Sequence, residues 1–108
     1  MFIIIYKYLI PKGYKAITLY PFIVIKEKGD KNNLVLIQHE RIHIRQQIEL
    51  LILPFYFVYF LDYLIKLIRY QDKYKAYRNI IFEREAYANE KNTDYLSSRP
   101  FWEWRKYL

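Results

Sequence analysis

From Leu34 to Leu53 the chain runs for twenty residues with neither glycine nor proline, and this run limits the fold more than any other feature. Gly29-Asp30-Lys31-Asn32-Asn33 precedes it, the strongest turn signal in the sequence, with Asn32 or Asn33 placed to cap a helix. The mix of apolar, charged and amide positions predicts a helix of about five turns. Pro54 ends or kinks it. Residues 14–28 are β-branched and aromatic with no helical stripe, and read as one or two strands. Pro21 cannot donate to a ladder, so this segment is an edge strand or is broken there. An edge is where an extended peptide can add.

Beyond Pro54, Phe55 to Ile68 predicts a second, apolar helix closed by the polar stretch Arg69 to Lys75, and a third helix covers Ala76 to about Asn92. Ser97-Ser98-Arg99-Pro100 is a further start signal, with Pro100 suited to the first turn of a short final helix carrying Phe101, Trp102 and Trp104. At 108 residues there is room for one domain, spanning 1–108. Leu50 to Leu61 gives twelve uncharged residues before Asp62, short of the roughly twenty that span a bilayer. A buried core helix is the expectation. The aromatic run from Phe55 leaves a monotopic or re-entrant contact of residues 50–68 with a membrane surface open, and a basic chain favours an anionic leaflet.

Eighteen Lys and Arg against eleven Asp and Glu give +7, which points to an acidic partner. Codon usage rich in A and T would raise Lys, Tyr, Ile and Asn alike, so the charge alone carries little. The aromatics cluster in apolar runs with few interleaved charges, and no nucleic-acid partner is expected. The apolar opening Met1 to Ile5 is followed by Lys7 and Lys12 without a small-residue cleavage site. A cleaved signal peptide is therefore not expected, and the location expected is cytoplasmic or peripheral to the inner face of a membrane.

Both histidines fall in His39-Glu40-Arg41-Ile42-His43, inside the first predicted helix. Residues four apart share a helix face, so His39 and His43 can point at one metal ion while Glu40 sits beside a metal-bound water as general base. Two surface histidines one turn apart would give the same letters, with Glu40 paired to Arg41 or Arg45. A catalytic zinc needs three protein ligands and an open position. The chain has no cysteine and no third histidine, so the third ligand falls to a carboxylate or, less usually, a tyrosine. Glu49, six residues past His43, faces away. The best segment is Phe82-Glu83-Arg84-Glu85-Ala86-Tyr87-Ala88-Asn89-Glu90, where Ala86 and Ala88 permit a close approach to the motif helix. Taken alone, its charges also suit a solvated helix face.

His39 to His43 followed by this helix resembles the gluzincin-type zinc metallopeptidases, particularly small forms similar to the membrane-associated heat-shock and prenyl-protein peptidases. Those carry H-E-x-x-H on one helix and E-x-x-A-D on another, whose first Glu is the third zinc ligand. The resemblance covers roughly residues 14–90 and rests on the two short motifs. Matched residue by residue, it implies Glu83 as ligand, with Tyr87 where the family has Asp; a second alignment makes Glu85 the ligand, with Asn89 behind it. It implies an α+β fold in which short N-terminal edge strands or a hairpin precede three to four helices, the motif helix packed against the ligand-bearing one. It also implies Zn2+ as cofactor and a peptide or protein substrate. With both histidines committed to the metal, the oxyanion donor would be a tyrosine or arginine of the third predicted helix, Tyr87 or Tyr77 first. The alternative is a catalytically inactive zinc-binding regulatory or interaction domain in which Glu40 only packs.

Overall fold

The computed structural model describes residues 2–108 and is an α+β protein, a three-stranded sheet followed by five helices. The strands are β1 (Phe2–Ile5), β2 (Ala16–Leu19) and β3 (Phe22–Ile25), in the order β1-β3-β2, with β1 parallel and β2 antiparallel to the central β3. Residues 14–28 thus hold two strands, broken at Pro21, which lies in the tight connection where no ladder donor is needed. β1 was not expected from the sequence; four apolar residues are too few to show a period. β2 is left as a sheet edge.

Helix α1 (Leu34–Glu49) starts where Asn33 accepts the Leu36 amide at 3.1 Å, the cap anticipated at Asn32 or Asn33. It ends at Glu49, four residues before the expected Leu53. Leu51 and Ile52 take left-handed φ of 59° and 69°, and α2 (Leu53–Tyr70) leaves at 114° to α1. Pro54 therefore opens α2 instead of closing α1, because a missing N–H is costless in a first turn. α1 lies between two apolar layers. Ile37 and Ile44 pack on Ile23 and Ile25 of the sheet, and Ile42 packs on Ala86 and Tyr95 from the other side.

The expected helix over residues 76–92 is two helices, α3 (Lys73–Arg78) and α4 (Ile81–Asn89). The Asn79 side chain donates to the Lys75 carbonyl at 2.8 Å, and Ile80 is extended, so α3 stops there. α4 then starts on a cap borrowed from α2: Asp62 Oδ2 accepts the Ile81 amide at 2.7 Å, while Lys66 holds the other oxygen at 2.9 Å. The tail differs as well. A short helix α5 (Tyr95–Ser98) precedes Pro100, and a 3-10 turn at Glu103–Tyr107 follows it, so Pro100 starts no helix. Arg99, just before the proline, is extended, the conformation that position favours. No single helix among the described residues is long and apolar enough to cross a membrane; α1 and α2 reach that length and composition only as a bent pair.

Candidate metal centre

One turn of α1 separates His39 and His43, and both imidazoles are buried with their Nε2 atoms 3.2 Å apart. Glu83, in the first turn of α4, sends Oε1 to the same point, 2.9 Å from His39 Nε2 and 3.1 Å from His43 Nε2. Three donors bound tetrahedrally at zinc distances would be separated by about 3.3 Å, so this triangle is close to the edge lengths of such a site. These three residues form the one potential metal-holding group among the described residues.

The protons say more than the distances. Gln46 Nε2 faces two acceptors, the Phe82 carbonyl at 3.1 Å and Glu85 Oε1 at 2.9 Å, so both its hydrogens are committed and its Oε1 must be the atom facing His43 Nδ1 at 2.8 Å. His43 Nδ1 therefore carries the hydrogen. His39 Nδ1 is likewise 2.7 Å from the Glu90 carboxylate, which can only accept. With a hydrogen on each Nδ1, the two Nε2 atoms converge with Glu83 Oε1, all three within 3.2 Å. That arrangement needs a cation at its centre, either a proton or a metal ion. The remaining oxygen of Glu83 accepts from Tyr59 Oη at 2.6 Å. Burial and the charge of Glu83 push the Tyr59 phenol far above its ordinary value, so it stays a donor.

The buried charges point the same way. Asp62 and Lys66 cancel. Glu49, Glu85 and Arg99 leave one negative charge, with Arg99 Nη1 2.6 Å from Glu49 and Nε 2.5 Å from Glu85. Glu40 and Glu83 add two more, beside which the His43 ring holds a proton in the metal-free protein; a divalent ion in its place would balance both. The same field acts on the ring protons: burial lowers the His43 pKa, but Glu83 more than offsets that and raises it to about 9. Burial would raise the Glu83 carboxyl, yet His43 and His39 hold it well below the usual carboxylate range.

Glu40 is buried, and Thr18 of β2 donates to its Oε1 at 2.7 Å. It shares with His43 and Glu83 the wall of a cavity of about 430 Å³, otherwise mostly apolar and aromatic: Ile17, Phe55, Phe60 and Tyr63 contribute. A second cavity of about 480 Å³ is lined by His39 and Glu40 and rimmed by Lys12, Lys15 and Lys73. Ala16 and Tyr77 line both.

Of the residues singled out in the sequence, His39, His43 and Glu83 meet, and Glu40 stands next to them. Glu85 does not join them; its carboxylate is taken by Arg99, Gln46 and Tyr95 Oη at 2.6 Å, and those bonds lower its pKa although burial opposes them. Asn89 donates to the Glu85 carbonyl and not to a histidine. Tyr87 meets the His39 ring edge to face, 4.3 Å between centroids, under the Arg78 guanidinium, and its hydroxyl pairs with that of Tyr77 at 2.8 Å. The partners missed were Glu90, Gln46 and Tyr59. Glu90 lies seven residues past Glu83, and Gln46 three past His43; helical spacing could have found both. No protein-family model, curated protein or solved structure matches this chain.

Proposed function

We propose that this protein is a zinc-dependent metallopeptidase whose metal is held by His39, His43 and Glu83, with Glu40 as general base. The observation that carries the reading is the convergence of two imidazole Nε2 atoms and one carboxylate oxygen, each fixed from behind by Glu90, Gln46 or Tyr59, beside a carboxylate that lines a cavity. When bound, zinc lowers the pKa of a coordinated water toward neutrality and polarises a carbonyl. Glu40 takes the proton of the attacking water and passes it to the leaving amine. The Thr18 hydroxyl keeps that carboxylate turned into the cavity.

The register supplies a place for a substrate. Lys26 N–H bonds the Lys15 carbonyl at 2.9 Å, so alternate pairs along β2 point the amides and carbonyls of Ala16 and Thr18 to the free edge. The Thr18 carbonyl is already taken by Gln47 Nε2 and Tyr56 Oη, so an extended peptide would pair chiefly at Ala16, where the two cavities meet. Of the two tyrosines considered for the oxyanion, Tyr77 lines the apolar cavity shared by Glu40 and Glu83, and Tyr87 stands behind it. If Tyr87 donates within the pair, the Tyr77 proton is free for an oxyanion.

Metal analysis with a peptide-library assay tests the reading. One zinc per chain is expected in the wild type, none in His39→Ala, and an unchanged metal content in Glu40→Gln with turnover lower by about a hundredfold or more. A wild-type protein that binds no zinc overturns it. One that binds zinc and cleaves nothing, with Glu40→Gln indistinguishable from it, assigns the inactive zinc-binding domain.

A further inference from the structure

Helix α2 is amphipathic in the wrong direction for a surface helix. Its charged pair, Asp62 and Lys66, is buried against the protein, while the side turned outward carries Leu53, Phe57, Phe60, Leu61, Leu64 and Ile68. These positions follow helical spacing and form one stripe. Phe57 is 70 % exposed, Phe60 62 % and Ile68 77 %, and the stripe runs the length of an 18-residue helix, about 27 Å. Ile48 and Leu51, before the bend into α2, are exposed as well. A contiguous apolar strip of this kind marks an interaction surface.

We infer that this outward face of α2 lies on an anionic lipid bilayer, the helix parallel to the membrane plane and its apolar stripe sunk to the acyl boundary. Charge selects this occupant over a second copy of the chain. Five of the eleven acids are buried but only two of the eighteen bases, so the sixteen remaining bases face six acids, a surface excess of ten. Two such surfaces repel each other, and an anionic leaflet attracts them. The cations also sit where a flat helix needs them. Arg69, Lys73 and Lys75 are exposed at its C-terminal end; at the other end Trp102, its amide held by Glu49 at the end of α1, carries Arg105 over its ring. Aromatic and basic residues bordering an apolar strip are the chemistry of an interfacial helix. The buried Asp62–Lys66 pair keeps charge off the lipid side. Phe60 belongs both to the stripe and to the wall of the cavity at the metal centre, so that cavity opens beside the lipid. The membrane contact itself does not depend on peptidase activity.

Flotation with vesicles of phosphatidylcholine alone and of phosphatidylcholine with 30 % phosphatidylglycerol tests this, using the full chain and the Phe57→Gln/Ile68→Gln variant, with sedimentation in the absence of lipid as a parallel readout. Both side chains are exposed, so the variant should fold, and unchanged far-UV circular dichroism checks that it does. The expected result is binding to anionic vesicles at least tenfold above neutral ones, lost by tenfold or more in the variant. Absence of binding to either vesicle overturns the proposal. Binding that the variant retains shows a purely electrostatic contact and removes α2 from it. A wild-type dimer in lipid-free buffer that the variant abolishes assigns the stripe to a second copy instead.

Discussion

The hydrogen bond from His43 Nδ1 to Gln46 is the most exposed joint in the metal-centre argument. In Gln46→Leu three bonds go at once: the acceptor for His43 Nδ1–H and the two donations to the Phe82 carbonyl and Glu85. Glu85 keeps Arg99 and Tyr95, and the Phe82 carbonyl lies within α4, where helix bonding serves it. The orphan is therefore the His43 N–H, a buried unsatisfied donor worth about 1–3 kcal/mol. Losing the group that orients a metal-ligating imidazole should weaken zinc binding about ten- to a hundredfold. Gln46→Glu separates orientation from folding. A carboxylate at 46 still accepts from His43, so zinc affinity should stay within a few-fold of wild type. It would, however, face Glu85 Oε1 across 2.9 Å without a proton to share, and stability should fall.

Competition with a chromophoric chelator reads the affinity, and urea unfolding of the metal-free proteins reads the stability. The two variants should rank oppositely in the two measurements. Equal loss of zinc affinity in both would refute the reasoning, since it would make the acceptor on His43 irrelevant and leave only damage to the interior.

Three further outcomes follow from the same contacts. Zinc must displace the proton that Glu83 helps hold on His43, whose pKa is raised to about 9; apparent log affinity should climb by about one per pH unit from neutrality to about pH 9 and level off above it. An isothermal titration series across that range with a plateau already at pH 7 would contradict it. Arg99→Met strands Glu49 and Glu85 in the interior, and should cost about 3–5 kcal/mol of unfolding free energy in urea titration. Tyr77→Phe should lower kcat about tenfold or more with zinc content unchanged; unaltered turnover would remove Tyr77 as the oxyanion donor.

The parts of the site legible in the sequence are those set by spacing along one helix. His39, Glu40 and His43 share the face of α1 because the chain offers a cap at Asn33 and nothing to break the helix before Glu49. Glu83 was reachable because the chain has no third histidine and no cysteine. What could not be read depends on contacts between distant residues. The separation of α3 from α4 rests on Asp62, nineteen residues before the amide it caps. Tyr59 reaches Glu83 only because α2 turns away at Leu51 and Ile52, two residue types that disfavour positive φ and give no warning of a bend. The role of Arg99 was invisible for the same reason: a tail position before a proline looks like a helix start, and its inward side chain answers two carboxylates from α1 and α4.

Those carboxylates also say what a chain of this size gives up to build such a centre. Among the described residues thirteen polar or charged side chains are buried against fourteen apolar ones, and the fully enclosed set includes Gln46, Gln47 and Glu85 beside Phe82 and Ile42. A core so divided gains less from hydrophobic burial than its size would allow. Part of its polar half is one connected chain: His43 to Gln46, Gln46 to Glu85, Glu85 to Arg99, Arg99 to Glu49, with Glu49 accepting the Trp102 amide of the tail. Five buried acids against two buried Lys and Arg leave three negative charges inside, one of them answered by the proton on His43 in the metal-free protein, and repulsion among the rest opposes folding. On the proposed reading a divalent ion at His39, His43 and Glu83, taking the place of that proton, leaves only one. The same ion that activates water then also closes the interior, so metal loading and folding are coupled through Gln46 as far as the C-terminal tail.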